Sequence, residues 1–495
     1  MFGFLGNIWS YATFSAENFI LVALATFVSG LMLTIFLAPE FLLKSRFASI
    51  MWGRFENKFE LKKFGFLAGI FGIIIGTYWA LRPIKDSIFT SMIGFKAYQP
   101  YAKILSLFLI VPLIILYNKL IDKYPRHKLF YILCTAYGVI ALLFMFAFLN
   151  PTIGLANTVQ SPWRIIGWLW YVYIESFGSM IVALFWAFTS DITKPGAAKR
   201  GFPLIALLGQ MGNIIGPKVF RATSFGFENS GPLVGILAAF MFSLAILMWL
   251  FMKVTPKSQM EGFESEVKEE ADFKKAKEKG GFLDGLKHLL KHKYLMGIAA
   301  IIIFFEVIVT ILDYIFKALA QANFTIGGVL LEKNLAAYLG DYGFWTGIVA
   351  TLCVLFGINN IQRRLGMQVS LVLMPIIVAI AVITLRINPV LGVAFWIMVF
   401  SKAVNYALNQ PTLKQAYIPT SKESKYKAQS WIEMFGGRSS KAIGSGINTF
   451  GRISWPFFIV FSTVISLGLV GLWVFVAIFI GRTYTKAVKE NKIVC

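Results

Sequence analysis

Long uninterrupted apolar runs, separated by short polar connections that are mostly basic, make up most of this 495-residue chain. The runs approach ~20 residues, enough for an α-helix to cross a hydrocarbon core ~30 Å thick, and they lack the ~10-residue alternation of a membrane β-strand. They predict helices near 18–40, 64–84, 100–118, 129–149, 165–189, 203–220, 232–252, 295–317, 340–361, 367–385, 390–408, 431–450 and 456–481. The first stands apart, and the other twelve divide six and six about a long polar connection. The expected protein is all-α and polytopic. Its parts are an extra N-terminal transmembrane helix (1–50), an N-terminal six-helix half (51–252), a cytoplasmic linker with an amphipathic helix (253–294), and a C-terminal six-helix half with a basic tail (295–495).

Composition agrees, with 57% hydrophobic residues and 14% charged, against about 25% charged in soluble domains. Mean hydropathy is +0.70. The net charge of +23 would suggest nucleic acid in a soluble protein. Here most lysines and arginines lie in alternate loops, beginning with "KSRFASIMWGRFENKFELKK", so the charge encodes a cytoplasmic side. No basic stripe interleaved with aromatics occurs in a soluble segment, and nucleic-acid binding is not expected. Three cysteines, two of them inside apolar runs, offer neither a disulfide framework nor a metal site. "MFGFLGNIWSYATFSAENF" has no basic n-region and no small-residue cleavage site, so helix 18–40 reads as retained.

Within the linker, "ESEVKEEADFKKAKEKGG" is a solvated charge run. After it, Phe282, Leu283, Leu286, Leu289 and Leu290 recur at helical spacing with lysines opposite, as in a helix lying on the cytoplasmic face. Internal similarity supports two halves: "WAFTSDITK" (186–194) lies over "YALNQPTLK" (406–414), and Lys199 to Gln210 over Lys427 to Arg438. Parallel repeats of this kind mark the major facilitator architecture, in which substrate sits near the midplane between the halves. The loop "DKYPRHK" (122–128) resembles the basic loop between helices two and three of that superfamily. The expected fold is therefore a major-facilitator-type 6+6 bundle plus one helix.

A charge at the centre of a membrane helix costs about 2.5–3.5 kcal/mol on insertion scales and marks function by default. The first core helix carries Arg82, Lys85 and Asp86, the fourth Glu175, and the seventh Glu306, Asp313 and Lys317. The tenth carries Lys402, and the eleventh Glu433, Arg438 and Lys441. In the major facilitator architecture helices one, four, seven and ten line the cavity, and each bears a charge here. Two bland readings stand beside this one. Lys85, Asp86 and Lys317, at helix ends, can snorkel to the outer interface, and Glu175 can form an internal salt bridge with Arg82 or Lys85. In "SWIEMFGGRSSKAIGSG", Arg438 and Lys441 at i and i+3 share a face and suit a phosphate or carboxylate, or else pair with Glu433 in a packing interface rich in glycine. An excess of cations points to an anionic substrate. Tyr78, Trp79, Tyr171, Tyr173 and Trp186 lie on the same helices and are candidates for stacking a planar base.

Other chemistry is missing. No GxxxxGK[ST] loop occurs, which argues against ATP-driven pumping. His288 and His292 stand at i, i+4 spacing on a basic surface helix without acidic partners, so no zinc site, metal or cofactor is expected. No nucleophile–base constellation suggests an enzyme.

Longer motifs resemble one family: the nucleotide transporters of plastids and obligate intracellular bacteria, the ADP/ATP translocases unrelated to the mitochondrial carrier. "LRPIKDS" (81–87) looks like their first-helix Leu-Arg-x-x-Lys-Asp. "IESFGSMIVALFWAFTSDITKPGAAKR" (174–200), "FWTG" (344–347), "YALNQPTLKQAYIP" (406–419) and "KAQSWIEMFGGRSSK" (427–441) resemble further signatures across about residues 50–482. The resemblance implies exchange of ATP for ADP by alternating access, with phosphate co-exchanged; the expected protein is a monomer in a bacterial inner membrane or, alternatively, a plastid inner envelope. Import of host ATP by an intracellular bacterium follows from the family as well. Of two lysines and two glutamates that matter for transport in the family, Lys85 and Glu175 match the first of each. The second glutamate falls on Asp313, followed by Lys317. At the second lysine this chain has Leu413, with Lys414 beside it, and Gln410 replaces a family Asp. On the fifth helix Gln210 matches a family Asn, and Asn213 lies one turn on. The resulting candidate site is Arg82, Lys85, Glu175, Gln210, Asn213, Asp313, Lys317, Lys402, Lys414, Arg438 and Lys441. Phosphates would meet the cations, and base and ribose the aromatic rings and amides. The departures keep open a proton-coupled importer of other nucleotides or another organic anion.

Overall fold

The structure, a computed structural model, describes residues 16–46, 54–256, 259–260, 282–355, 359–421, 432, 436–490 and 492–495. Helix α1 (Ala16–Leu37) and a short α2 (Pro39–Lys44) precede six long helices. These are α3 (Lys58–Met92), α4 (Phe95–Lys123), α5 (Arg126–Leu149), α6 (Ile165–Asp191), α7 (Pro195–Val219) and α8 (Gly231–Val254). A short α9 (Phe282–Lys291) leads into α10 (Lys293–Asn323), α11 (Glu332–Leu355), α12 (Asn359–Ile387) and α13 (Leu391–Val404). A π-helical turn (Asn405–Asn409) continues α13 into α14 (Gln410–Ala416). The chain then forms α15 (Gly437–Asn448), α16 (Phe450–Ile453) and α17 (Trp455–Glu490). Ten of the described helical segments are long and apolar enough to cross a membrane. The charge run at 261–281 and Glu433 lie outside the described residues.

Local chemistry sets the helix ends. Asn57 caps α3 by accepting from the Glu60 N–H at 2.9 Å, and Glu60 accepts in return from the Glu56 N–H, which satisfies donors that the first turn leaves unpaired. Gly94, at φ 99°, separates α3 from α4 in a backbone region that side chains disfavour. Between α10 and α11 a two-stranded hairpin, Thr325–Ile326 with Val329–Leu330, turns through Gly327 and Gly328, both with positive φ.

Buried apolar side chains form two large clusters. One gathers residues between Leu31 and Phe251, and the other residues between Leu289 and Ile480 together with Phe95. A small third cluster of Met211, Ile214 and Phe344 lies between α7 and α11. Small residues bring backbones together: a Cβ on Gly212 of α7 would stand 2.2 Å from the Gly72 carbonyl of α3, and one on Gly444 of α15 would stand 2.9 Å from the Val307 carbonyl of α10. In a membrane, where lipid tails are as apolar as leucine, such close packing holds helices together.

Several helices outrun the hydropathy reading, the first core helix reaching Met92, the seventh Asn323 and the last Glu490, and two more differ for reasons of local chemistry. The eighth core helix, expected at 340–361, begins at Glu332. Its first turns, "EKNLAAYLGDYG", are too polar for an apolar run, and partners on other helices take up Glu332 and Asp341. The tenth, expected to end near 408, passes through the π-helical turn and continues to Ala416. Pro411 has no N–H for the carbonyl four residues back, and a change of helical period is one way to accommodate that loss.

Candidate substrate cavity

A polar cavity of about 330 Å³, partly open to solvent, lies between the two clusters. Seven cationic side chains line it: Arg82 and Lys85 of α3, Lys103 of α4, Lys317 of α10, Lys402 of α13, and Arg438 and Lys441 of α15. Three carboxylates line it too, Glu175 of α6 and Glu306 and Asp313 of α10. Ligand sites commonly span about 300–1,000 Å³, and this cavity falls at the lower end of that range.

The charges fall into two groups. In the first, carboxylates and ammonium groups alternate in a chain that crosses from one cluster to the other. Lys85 pairs with Glu175 and lies 3.6 Å from Asp86. Lys317 bridges Asp86 and Asp313, both at 2.8 Å. Asp313 also receives Lys103 at 3.3 Å and stands 3.7 Å from Lys402. Lys85, Asp86 and Asp313 are buried, so the snorkelling reading of Lys85 and Asp86 is wrong; so is that of Lys317, whose side chain is 11% exposed. Ion pairs inside the bundle hold them instead.

The second group is less matched. Arg82 lies over the Trp79 ring at 4.5 Å and the Tyr78 ring at 5.8 Å and has no ion pair among the described residues. Arg438 donates from Nη2 to the Ser179 Oγ at 2.8 Å, and its buried Nη1 has no hydrogen-bond partner among them. Among the described residues Lys441 reaches only Glu306, at 3.7 Å. Unpaired donors facing a polar cavity are ready for an anion.

Eight of the eleven residues expected from sequence therefore share one cavity, and three do not line it. Gln210 donates to the Gly347 carbonyl at 3.2 Å and to Thr351 Oγ1 at 3.3 Å, and Asn213 stands beside Gly347. Both face α11, because the glycines that press α7 onto α3 turn the amides to the other neighbour. Lys414 is exposed on α14 while Leu413 is buried. Of the aromatic candidates, Tyr78 and Tyr171 line the cavity. Tyr173 donates to the Tyr137 carbonyl, and Trp186 packs against Phe71 and Phe202.

Sequence reasoning missed Lys103, Ser106, Asn405, Tyr406 and Gln410 as cavity residues. Lys103 carried a usable signal, a lone lysine in an apolar helix. The amides gave none, since uncharged polar side chains are common in helix packing.

At the seam, on the side opposite the basic loops, further contacts join the clusters. Glu332 of α11 accepts from Ser87 Oγ at 2.6 Å and from the Ser230 N–H and Oγ at 3.0 and 2.8 Å. Asp341 of α11 binds Lys218 and Arg221, both at 2.6 Å. Glu17 of α1 pairs with Lys218 and accepts from Trp345 Nε1 at 3.0 Å.

A profile described as the TLC ATP/ADP transporter family matches residues 42–387, well over half of the chain. The chain belongs to this family. Among similar members, ADP,ATP carrier protein 1 of Rickettsia prowazekii (strain Madrid E) is 26% identical over 501 residues, covering 90% of this chain and 98% of that one. ADP,ATP carrier protein 1 of Chlamydia trachomatis serovar D is 26% identical over 444 residues, covering 78% and 81%. Among solved structures, a bacterial homologue of the human lysosomal transporter Spinster, inward-facing and unoccupied, superposes with a TM-score of 0.56 at 12% identity, covering 86% of this chain and 98% of that one. A mutant of the peptide transporter POT in complex with sulfate gives 0.56 at 13% identity, covering 84% and 95%. At these identities the likeness concerns the fold alone: this family member is an all-α polytopic membrane protein of major-facilitator type.

Proposed function

We propose that this transporter exchanges ATP for ADP, with inorganic phosphate co-exchanged, by alternating access as a monomer in a bacterial cytoplasmic membrane. The observation that carries the reading is the cavity itself. Seven cations face three carboxylates there, an imbalance that a polyanion would correct and that fits the family to which the chain belongs. The relatives' printed name, ADP,ATP carrier protein, supplies the nucleotide.

In this mechanism Arg82, Arg438 and Lys441 take the phosphates, because carboxylates engage them least. The chain Glu175–Lys85–Asp86–Lys317–Asp313 joins the N-terminal half, 51–252, to the C-terminal half, 295–495, and closes the outer side. Opening outward separates Lys317 from Asp86 and Lys103 from Asp313, at the cost of buried charges left without partners. Phosphate groups replace the lost carboxylates, so a loaded cavity reorients more readily than an empty one, and this differential stabilisation enforces exchange.

The test is reconstitution in liposomes with labelled ATP outside and the lumen empty, loaded with ADP, or kept at a higher pH than the outside. Uptake only against internal ADP supports exchange. Uptake into empty vesicles driven by the pH gradient replaces the reading with proton-coupled import.

A further inference from the structure

The polar lining of the cavity is divided by type. Its cations come from five helices, whereas its side-chain amides come from one place, the π-helical turn after α13 and the residue that follows it. In that turn the Gln410 N–H donates to the Asn405 carbonyl, an i→i+5 bond. Gln410 therefore stacks above Asn405 on the cavity face. A continued α-helix would put Asn409 there and turn Gln410 about 100° away.

The two amides differ in what they offer. Asn405 is buried, and its Oδ1 accepts from Asn409 Nδ2 at 2.8 Å, which fixes the orientation of the group and leaves its nitrogen as a donor. Gln410 is half-buried, and its amide has no hydrogen-bond partner among the described residues, so oxygen and nitrogen are both available. Tyr406, between them in sequence, lines the same cavity with an aromatic ring. An uncharged amide adds nothing to phosphate neutralisation, which seven cations already provide. It matches a group that presents a donor and an acceptor side by side on a flat ring.

We propose that Gln410 determines the choice of base, taking adenine by its N6 and N7 edge. The amide oxygen accepts from the exocyclic N6–H, the amide nitrogen donates to N7, and Tyr406 offers a stacking face. One glutamine serves both positions, as amide side chains do when they read adenine. The inference rests on the nucleotide reading of the cavity and assigns its base-recognition end.

The experiment measures uptake of ATP and of 7-deazaadenosine triphosphate, in which a C–H replaces N7, by vesicles carrying wild type, Gln410→Met or Gln410→Leu. Wild type is expected to prefer ATP by about tenfold in kcat/KM. In either variant the preference falls to about one. Competition by inorganic triphosphate, which has no base, stays unchanged and reports that the cavity has formed. The assignment is overturned if wild type does not distinguish the two nucleotides, or if both variants keep its preference. Wild-type uptake of neither nucleotide would remove the nucleotide reading itself, whereas base-blind uptake of ATP would remove only the role of Gln410.

Discussion

Lys317 and Asp86 meet at 2.8 Å between α10 and α3, and the same ammonium reaches Asp313, one turn back on its own helix, at the same distance. A single lysine thus bridges two buried carboxylates. Removing it leaves Asp86 only Lys85, at 3.6 Å, and Asp313 only the longer contacts to Lys103 and Lys402 among the described residues, a loss smaller than the roughly 3–5 kcal/mol of a buried charge left wholly uncompensated. Lys317→Gln is expected to lower the thermal unfolding midpoint in detergent and to slow exchange more than Asp86→Asn does. In the double variant the losses should be less than additive. Fully additive losses in a double-mutant cycle would show that the two side chains do not interact.

Arg438 joins α15 to Ser179 of α6 through Nη2 and leaves Nη1 without a hydrogen-bond partner among the described residues. Lysine keeps the charge but cannot hold serine and a phosphate oxygen in one fork. Arg438→Lys should therefore raise KM for ATP by about tenfold, the scale of a lost charge-assisted hydrogen bond. A smaller change is expected in kcat, and the concentration dependence of exchange separates the two.

Glu17 ties α1 to both sides of the outer seam, pairing with Lys218 of α7 and accepting from Trp345 of α11. These contacts exist only while α7 and α11 are together, so their loss favours the outward-open form. Glu17→Gln is expected to lower the apparent KM for external ATP, read in vesicles of known orientation. An unchanged external KM would leave α1 as a passive helix.

Backbone proximity makes a fourth expectation. Alanine at Gly212 would push a Cβ to 2.2 Å from the Gly72 carbonyl, and neither backbone can yield without separating α3 from α7. Gly212→Ala should reduce the amount of folded protein recovered from the membrane. Gly471→Ala on α17, where a Cβ meets nothing within 4 Å, should be neutral or slightly stabilising, since alanine favours helix over glycine by ~1 kcal/mol.

Hydrophobic periodicity marked the chain as an all-α polytopic membrane protein and located its long helices, because crossing lipid demands long apolar runs whatever the neighbours do. It also exposed the charged residues of the cavity. An ion in an apolar helix is conspicuous, and Arg82, Lys85, Glu175, Asp313, Lys317, Lys402, Arg438 and Lys441 were all found that way and all face one space. Only the tertiary structure decided who pairs with whom. Residues as far apart in sequence as Lys103 and Asp313 meet because helices from two clusters pack side by side, and no local pattern records that contact. The facing of uncharged amides was decided there too. Gln210 and Asn213 turn to α11 because glycines press α7 onto α3, and Gln410 enters the cavity because the π-helical turn shifts the period by one residue. The same shift leaves Lys414 exposed on α14. Sequence spacing presumes a constant 3.6 residues per turn, and the position of a side chain beyond a change of period follows from packing alone.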